Sequence, residues 1–208
     1  MKKYEYKSKT IGELESLASG LLARYPKRVK NCRVDIEGVL EDMGLNLLPR
    51  PGIQKLASVD AFLPRNPHYV IIDEDYGSDL PYFRLIIAEE ISHRMLEPEL
   101  WRNGVPEGAN IYEIDKQIYD DIEGDAYRMA LALLMPEAKF KERYRHHLAK
   151  IVEDAPLLSN QNDKINICVN ALSNDFEVTF NGVVSRGRLT GLFKGEVKRK
   201  ELPGAVIF

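Results

Sequence analysis

The sequence lacks several features that would settle its class at once. It has only two cysteines, Cys32 and Cys168, far apart in the chain. They match no zinc-finger or CxxC spacing, so a disulfide scaffold and a thiolate metal site are excluded. Two buried thiols in a reducing compartment are expected instead. No apolar run approaches the roughly 20 residues that a membrane span needs. Positive charge is not in excess: 29 Lys and Arg stand against 32 Asp and Glu, a net charge of −3. A protein that lives on the DNA backbone is ordinarily basic, so nucleic acid is not expected as a partner. The charged start, Met1-Lys2-Lys3-Tyr4-Glu5-Tyr6-Lys7, leads into no apolar stretch. No signal peptide is therefore expected, and the cytoplasm is the expected location. Internal repeats and low-complexity tracts are also missing.

What remains is ordinary globular material. The chain has 208 residues, 44% hydrophobic and 29% charged, which suits one domain with a small appendage. Ile11, Leu14, Leu17, Ala18, Leu21 and Leu22 recur at helical spacing, which predicts a helix over 11–25 ended by Pro26. A second helix is predicted from Asp35 to Met43, with Gly44 as its C-cap. The period then shortens. Leu45–Leu48, Val59–Leu63 and Tyr69–Asp73 read as three short strands, separated by Pro49-Arg50-Pro51-Gly52 and by Pro64-Arg65-Asn66-Pro67. Together they predict a small antiparallel sheet.

Gly77-Ser78-Asp79 is a helix-start signal for a helix over about 80–96. A loop is expected over 97–112. A long helix from Ile114 to Met135 follows, then a charged one from Ala138 to about Val152. Asp154-Ala155-Pro156 reads as a linker, which divides the chain into 1–155 and 156–208. In the second part, Leu172–Thr179 and Val183–Leu192 suggest two short helices joined by a turn, a helix-turn-helix-like arrangement.

The chemistry concentrates in Ala88-Glu89-Glu90-Ile91-Ser92-His93. Glu89 and His93 are four apart, so both project from one helix face and could grip one ion. Glu90 lies roughly 100° further round. This is the geometry of the HExxH helix, whose Glu is a general base toward a water held by the ion. Here the string is EExxH. Alone it is a weak signal, since a Glu–His pair four apart is more often a solvated side-chain pair.

More of the chain agrees. Arg84-Leu85-Ile86-Ile87-Ala88 leads into the motif, and about 30 residues later comes Glu123-Gly124-Asp125-Ala126, running on to Leu133-Leu134-Met135-Pro136. Glu123 stands thirteen residues before Pro136. With Val34–Glu37, Leu45–Pro49 and Val59–Leu63 upstream, and Phe176–Thr179, Arg186 and Gly191-Leu192 downstream, the sequence over about 10–193 resembles the ImmA/IrrE family of metallopeptidases. The resemblance implies an α+β, zincin-like domain: helices packed on a small three-stranded antiparallel sheet, with a helix-turn-helix-like region after it. It implies metal ligands at Glu89, His93 and Glu123, Glu90 as general base, and zinc or another divalent cation such as manganese. Members typically act on a helix-turn-helix repressor encoded alongside, often in mobile elements. The implied function is thus a metal-dependent endopeptidase using metal-activated water; the alternative is a degenerate relative, binding no metal, that serves as a regulatory protein-binding module.

The departure lies at Glu89, where the family has His. A carboxylate reaches zinc at about 2.0–2.2 Å, as an imidazole does. Two carboxylates and a neutral His neutralise a divalent cation, so its water is less acidified and hydrolysis is slower. An oxygen-rich shell also suits Mn²⁺ or Mg²⁺. Without metal, Glu89, Glu90 and Glu123, with Asp121 and Asp125 nearby in sequence, are expected to raise one another's pKa values.

The other candidates have plainer readings. His146 and His147 read as surface groups on a charged helix, and His68 as a turn residue. Tyr82, Tyr127 and Arg128 are three candidate oxyanion donors. Arg186, Arg188, Lys194, Lys198, Arg199 and Lys200 form a basic stretch whose plain reading is a solvated tail. Gly182 and Gly187 argue against a firm recognition helix there.

Overall fold

Helix α1 (Ile11–Arg24) begins at a capping box: Thr10 Oγ1 accepts from the Glu13 amide, and the Glu13 carboxylate accepts from the Thr10 amide. Its apolar stripe buries Leu14, Ala18, Leu21 and Leu22. A computed structural model describes residues 6–64, 68–96, 116–155, 160–194 and 197 of the chain. After a 3-10 turn at Pro26–Arg28, strands β1 (Val29–Lys30) and β2 (Arg33–Val34) form a small hairpin that the sequence did not announce. Helix α2 (Ile36–Asp42) follows, capped by Asp35, whose carboxylate accepts from the Gly38 amide at 3.0 Å. Gly44 adopts the left-handed conformation (φ 76°) expected just beyond the end of this helix.

The main sheet has three strands, as expected, but they are not all antiparallel. β3 (Asn46–Arg50), β4 (Ala61–Phe62) and β5 (Tyr69–Asp73) lie in the order β3-β5-β4. β3 runs parallel to β5, with Leu47 opposite Val70, and β4 runs antiparallel to β5. The reason is the connection. A short helix, α3 (Ile53–Ala57), and the far-edge strand β4 carry the chain back, so that β5 enters the centre in the direction of β3. Alternation of apolar residues fixes which face is buried, here Val70 and Ile72, but not strand direction. Pro49 does not stop β3; it sits on an edge strand, where its missing donor is tolerated. Asp73, 1% exposed, accepts from the Gln54 and Asp75 amides and so ties α3 to the end of β5.

Helix α4 (Leu80–Leu96) starts at Asp79, whose carboxylate accepts from the Tyr82 amide at 3.2 Å. Its middle is buried on nearly all sides, from Arg84 to Ala88 and from Glu90 to Ser92. Helix α5 (Lys116–Leu134) packs along α4 and against α1, and α6 (Glu137–Asp154) follows Pro136. The C-terminal pair starts earlier than expected, and its first helix is longer: α7 (Gln161–Phe176) and α8 (Phe180–Leu189). The polar run Gln161–Lys164 hid the first turn of α7. Glu177, at φ 51°, ends that helix, and Thr179 caps the next by accepting from the Gly182 amide. Both helices bury residues in the same core cluster as α1, α2, α4, α5 and α6.

Two details of α8 correct the sequence reading. Gly187 is a packing requirement, because a Cβ there would overlap the Phe193 ring. Arg186 is not part of a solvated stretch. It is 1% exposed, donates to the Met135 carbonyl at 2.9 Å and forms a two-pronged ion pair with Glu15 of α1. Of the two thiols expected to be buried, Cys168 is, and Cys32 is only partly so. Arg65, Asn66 and Pro67 of the expected turn, the loop expected over 97–112, the expected helix start at Ile114, Pro156 of the expected linker and the tail from Lys198 lie outside the described residues. Among the described residues no helix is long and apolar enough to cross a membrane.

Candidate functional site

Helix geometry places Tyr82, Glu89 and His93 on one stripe of α4, since steps of seven and four residues return nearly to the same angle. Glu90 is turned inward and is 8% exposed. α5 brings Glu123 across from this stripe: its Oε1 lies 3.7 Å from His93 Nε2. Two ligands about 2.0–2.1 Å from one ion, at a tetrahedral angle, are roughly 3.3–3.5 Å apart, so this pair stands close to ligand spacing.

Glu89 and Glu90 are electrostatically part of the same nest. Burial pushes the Glu89 carboxyl up to about 7; His93 opposes this, and Glu123, Glu90 and Asp60 add to it. Burial likewise pushes Glu90 up to about 7, with His93 opposing and Glu123 adding. Repulsion among the acids was the expected cause; desolvation is the larger one. Among the described residues, neither carboxylate accepts a hydrogen bond. An ionised carboxylate buried without partners is costly, so such a group holds a proton or calls for a cation.

The donor chemistry therefore fits a divalent cation: one imidazole and three carboxylates, two of them without hydrogen-bond donors. The geometry is incomplete. No three His, Cys, Asp or Glu side chains among the described residues converge on a common metal position. His93 and Glu123 are brought together, and Glu89 is close enough to feel both without joining them.

Asp125, expected in this acidic group, belongs elsewhere. It is fully buried and accepts from Tyr6 Oη, Ser8 Oγ, the Lys9 amide and Arg128, which hold its carboxyl below the usual range. It anchors the segment before α1 to α5, two residues from Glu123 but on the other side of the helix. Asp121 is bonded by Gln117 one turn away. Of the three candidate oxyanion donors, Tyr127 donates to Ser185 on α8 and Arg128 pairs with Asp125. Only Tyr82 shares the stripe with Glu89.

Sequence reasoning missed Asp60 and Tyr76. The phenols of Tyr76 and Tyr82 each donate to Asp60 at 2.6 Å. Asp60 looked like the polar position of an alternating strand, and nothing local in the sequence links it to residues 16 and 22 positions later. Tyr119, one turn before Glu123, was also missed. Its hydroxyl is shifted up, first by burial and then by Glu123.

The histidines of α6 divide. His146 is exposed, as expected, whereas His147 is partly buried and lies 2.6 Å from Asp175, which Arg143 also bonds. Cys32 donates to the Asp175 carbonyl, and burial and Asp175 push its thiol up, away from nucleophilic character. No family model and no curated protein matches the chain.

Proposed function

We propose that the protein is a metal-dependent endopeptidase of the ImmA/IrrE type, zincin-like in its α4–α5 site, acting on a helix-turn-helix repressor. The observation that carries this reading is the cross-helix pair His93–Glu123 at 3.7 Å, with the carboxylates of Glu89 and Glu90, which accept no hydrogen bond from the described residues, beside it. Glu89, His93 and Glu123 would hold the cation, zinc or a harder ion such as Mn²⁺. When bound, that cation supplies positive charge that polarises a peptide carbonyl and acidifies water. Glu90 takes up the water's proton at its carboxylate and returns it to the leaving amine. Its pKa near 7 suits both halves of that transfer at neutral pH.

A second reading has its own support. Glu89 replaces an imidazole, and the described side chains leave the third ligand unconverged. On this reading the chain is a degenerate relative that binds its partner without hydrolysis. Metal analysis of protein purified without chelators, alongside Glu89→His, separates the two. The peptidase reading expects bound metal in the parent and cleavage of a repressor encoded nearby, with cleavage abolished in Glu90→Gln. Metal and cleavage appearing only in Glu89→His would establish the degenerate reading.

A further inference from the structure

Asp60 has both carboxylate oxygens taken by phenols, Oδ1 by Tyr76 and Oδ2 by Tyr82, each at 2.6 Å. A carboxylate accepts only, so both phenol protons are fixed on it. Each phenol oxygen is then left with lone pairs alone. The two rings meet edge to face, with centroids 5.1 Å apart. Tyr82 shares its helix stripe with Glu89, which accepts no hydrogen bond from the described residues and feels the Asp60 charge. All three residues of the cluster are partly exposed. With Glu89 ionised, a wall made of these four side chains offers acceptors and aromatic faces, and no donor.

A ligand group that matches it must donate, carry positive charge and lie flat. The guanidinium group does all three: it is planar, has five N–H donors and no acceptor, and stacks on aromatic faces. The surroundings agree. Glu74, Asp75 and Asp79 are exposed beside Tyr76, and the nearby base Lys55 reaches only 4.0 Å from Asp75 and is mostly solvated, so the local field attracts cations.

We propose that Asp60, Tyr76, Tyr82 and Glu89 form a subsite for an arginine side chain of the bound polypeptide. This deepens the peptidase reading by naming a side chain of its substrate, and it rests on that reading for the polypeptide itself. The probe is Nα-acetyl-arginine amide, titrated into the full chain by NMR, with the citrulline amide as its uncharged match. The arginine probe should bind saturably and shift the ring protons of Tyr76 and Tyr82, and the citrulline probe should bind at least about tenfold more weakly. Asp60→Asn should lose about tenfold in affinity for the arginine probe, while Tyr127→Phe, whose phenol bonds Ser185 instead, should bind as the parent does. If Asp60→Asn does not fold, Glu89→Gln carries the same expectation. Equal binding of the two probes, no saturable binding, or full affinity in the folded variant overturns the subsite. Titrating Mn²⁺ into the same samples keeps the two readings apart. Arginine binding without Mn²⁺ binding sinks the metal site alone; the reverse sinks the arginine subsite alone.

Discussion

Replacing Glu90 with glutamine should flatten the pH dependence of stability in the cation-free protein. In the unfolded chain this carboxyl titrates at its ordinary 4.5, and in the folded protein at about 7. Between those values the folded state keeps a proton that the unfolded state has released, so the folded state is favoured at low pH. That contribution is lost as pH rises through the window and is gone above about 7. The full difference is on the order of 3 kcal/mol at pH 8, taking about 1.4 kcal/mol per pH unit. Glu89 acts with the same sign, and His93, Glu123 and Tyr119 face the pair, so the parent's slope is a sum from which the variant removes one part. A buried amide without partners carries its own cost of about 1–3 kcal/mol. The slope, not the absolute stability, is therefore the observable. Urea unfolding from pH 5 to pH 8 in the presence of a chelator measures it. Parallel curves for parent and variant would refute the claim that burial raises the Glu90 carboxyl.

Three further outcomes follow from particular contacts. Asp125→Ala removes the acceptor for Tyr6, Ser8, Lys9 and Arg128; it should cost about 3 kcal/mol and open the segment at 6–10 to limited proteolysis, and an unchanged cleavage pattern would count against the anchor. Gly187→Ala drives a methyl group into the Phe193 ring and should cost about 2 kcal/mol by overpacking, read as a lowered denaturation midpoint; a neutral result would show that Phe193 has room to move. Glu15→Ala strands the guanidinium of Arg186 in the core and should cost about 3–5 kcal/mol by chemical denaturation, with Glu15→Ala combined with Arg186→Met recovering part of the loss.

Much of the fold was legible because it is written locally. The stripe of α1, the Asp79 cap and the glycine after α2 each mark an element with residues a few positions apart. Sheet direction was not legible, because β3 and β5 become parallel through the path of α3 and β4 rather than through their own composition. The start of α7 was hidden by its polar first turn. At the site, the i, i+4 spacing suggested Glu89 with His93, and only the family resemblance pointed to Glu123. Asp125 was misjudged because neighbours in sequence on a helix face opposite ways. Asp60 was invisible for a different reason: its tie to Tyr76 and Tyr82 exists only once β4 lies beside the start of α4.

Manganese soaked into crystals of the chain, located by anomalous diffraction, addresses the site itself. One strong peak between the His93 imidazole and the carboxylates of Glu123 and Glu89, absent from a His93→Ala crystal, is the result that a cation centre built by α4 and α5 requires. A map with no peak there, or with a peak that survives loss of that imidazole, contradicts it.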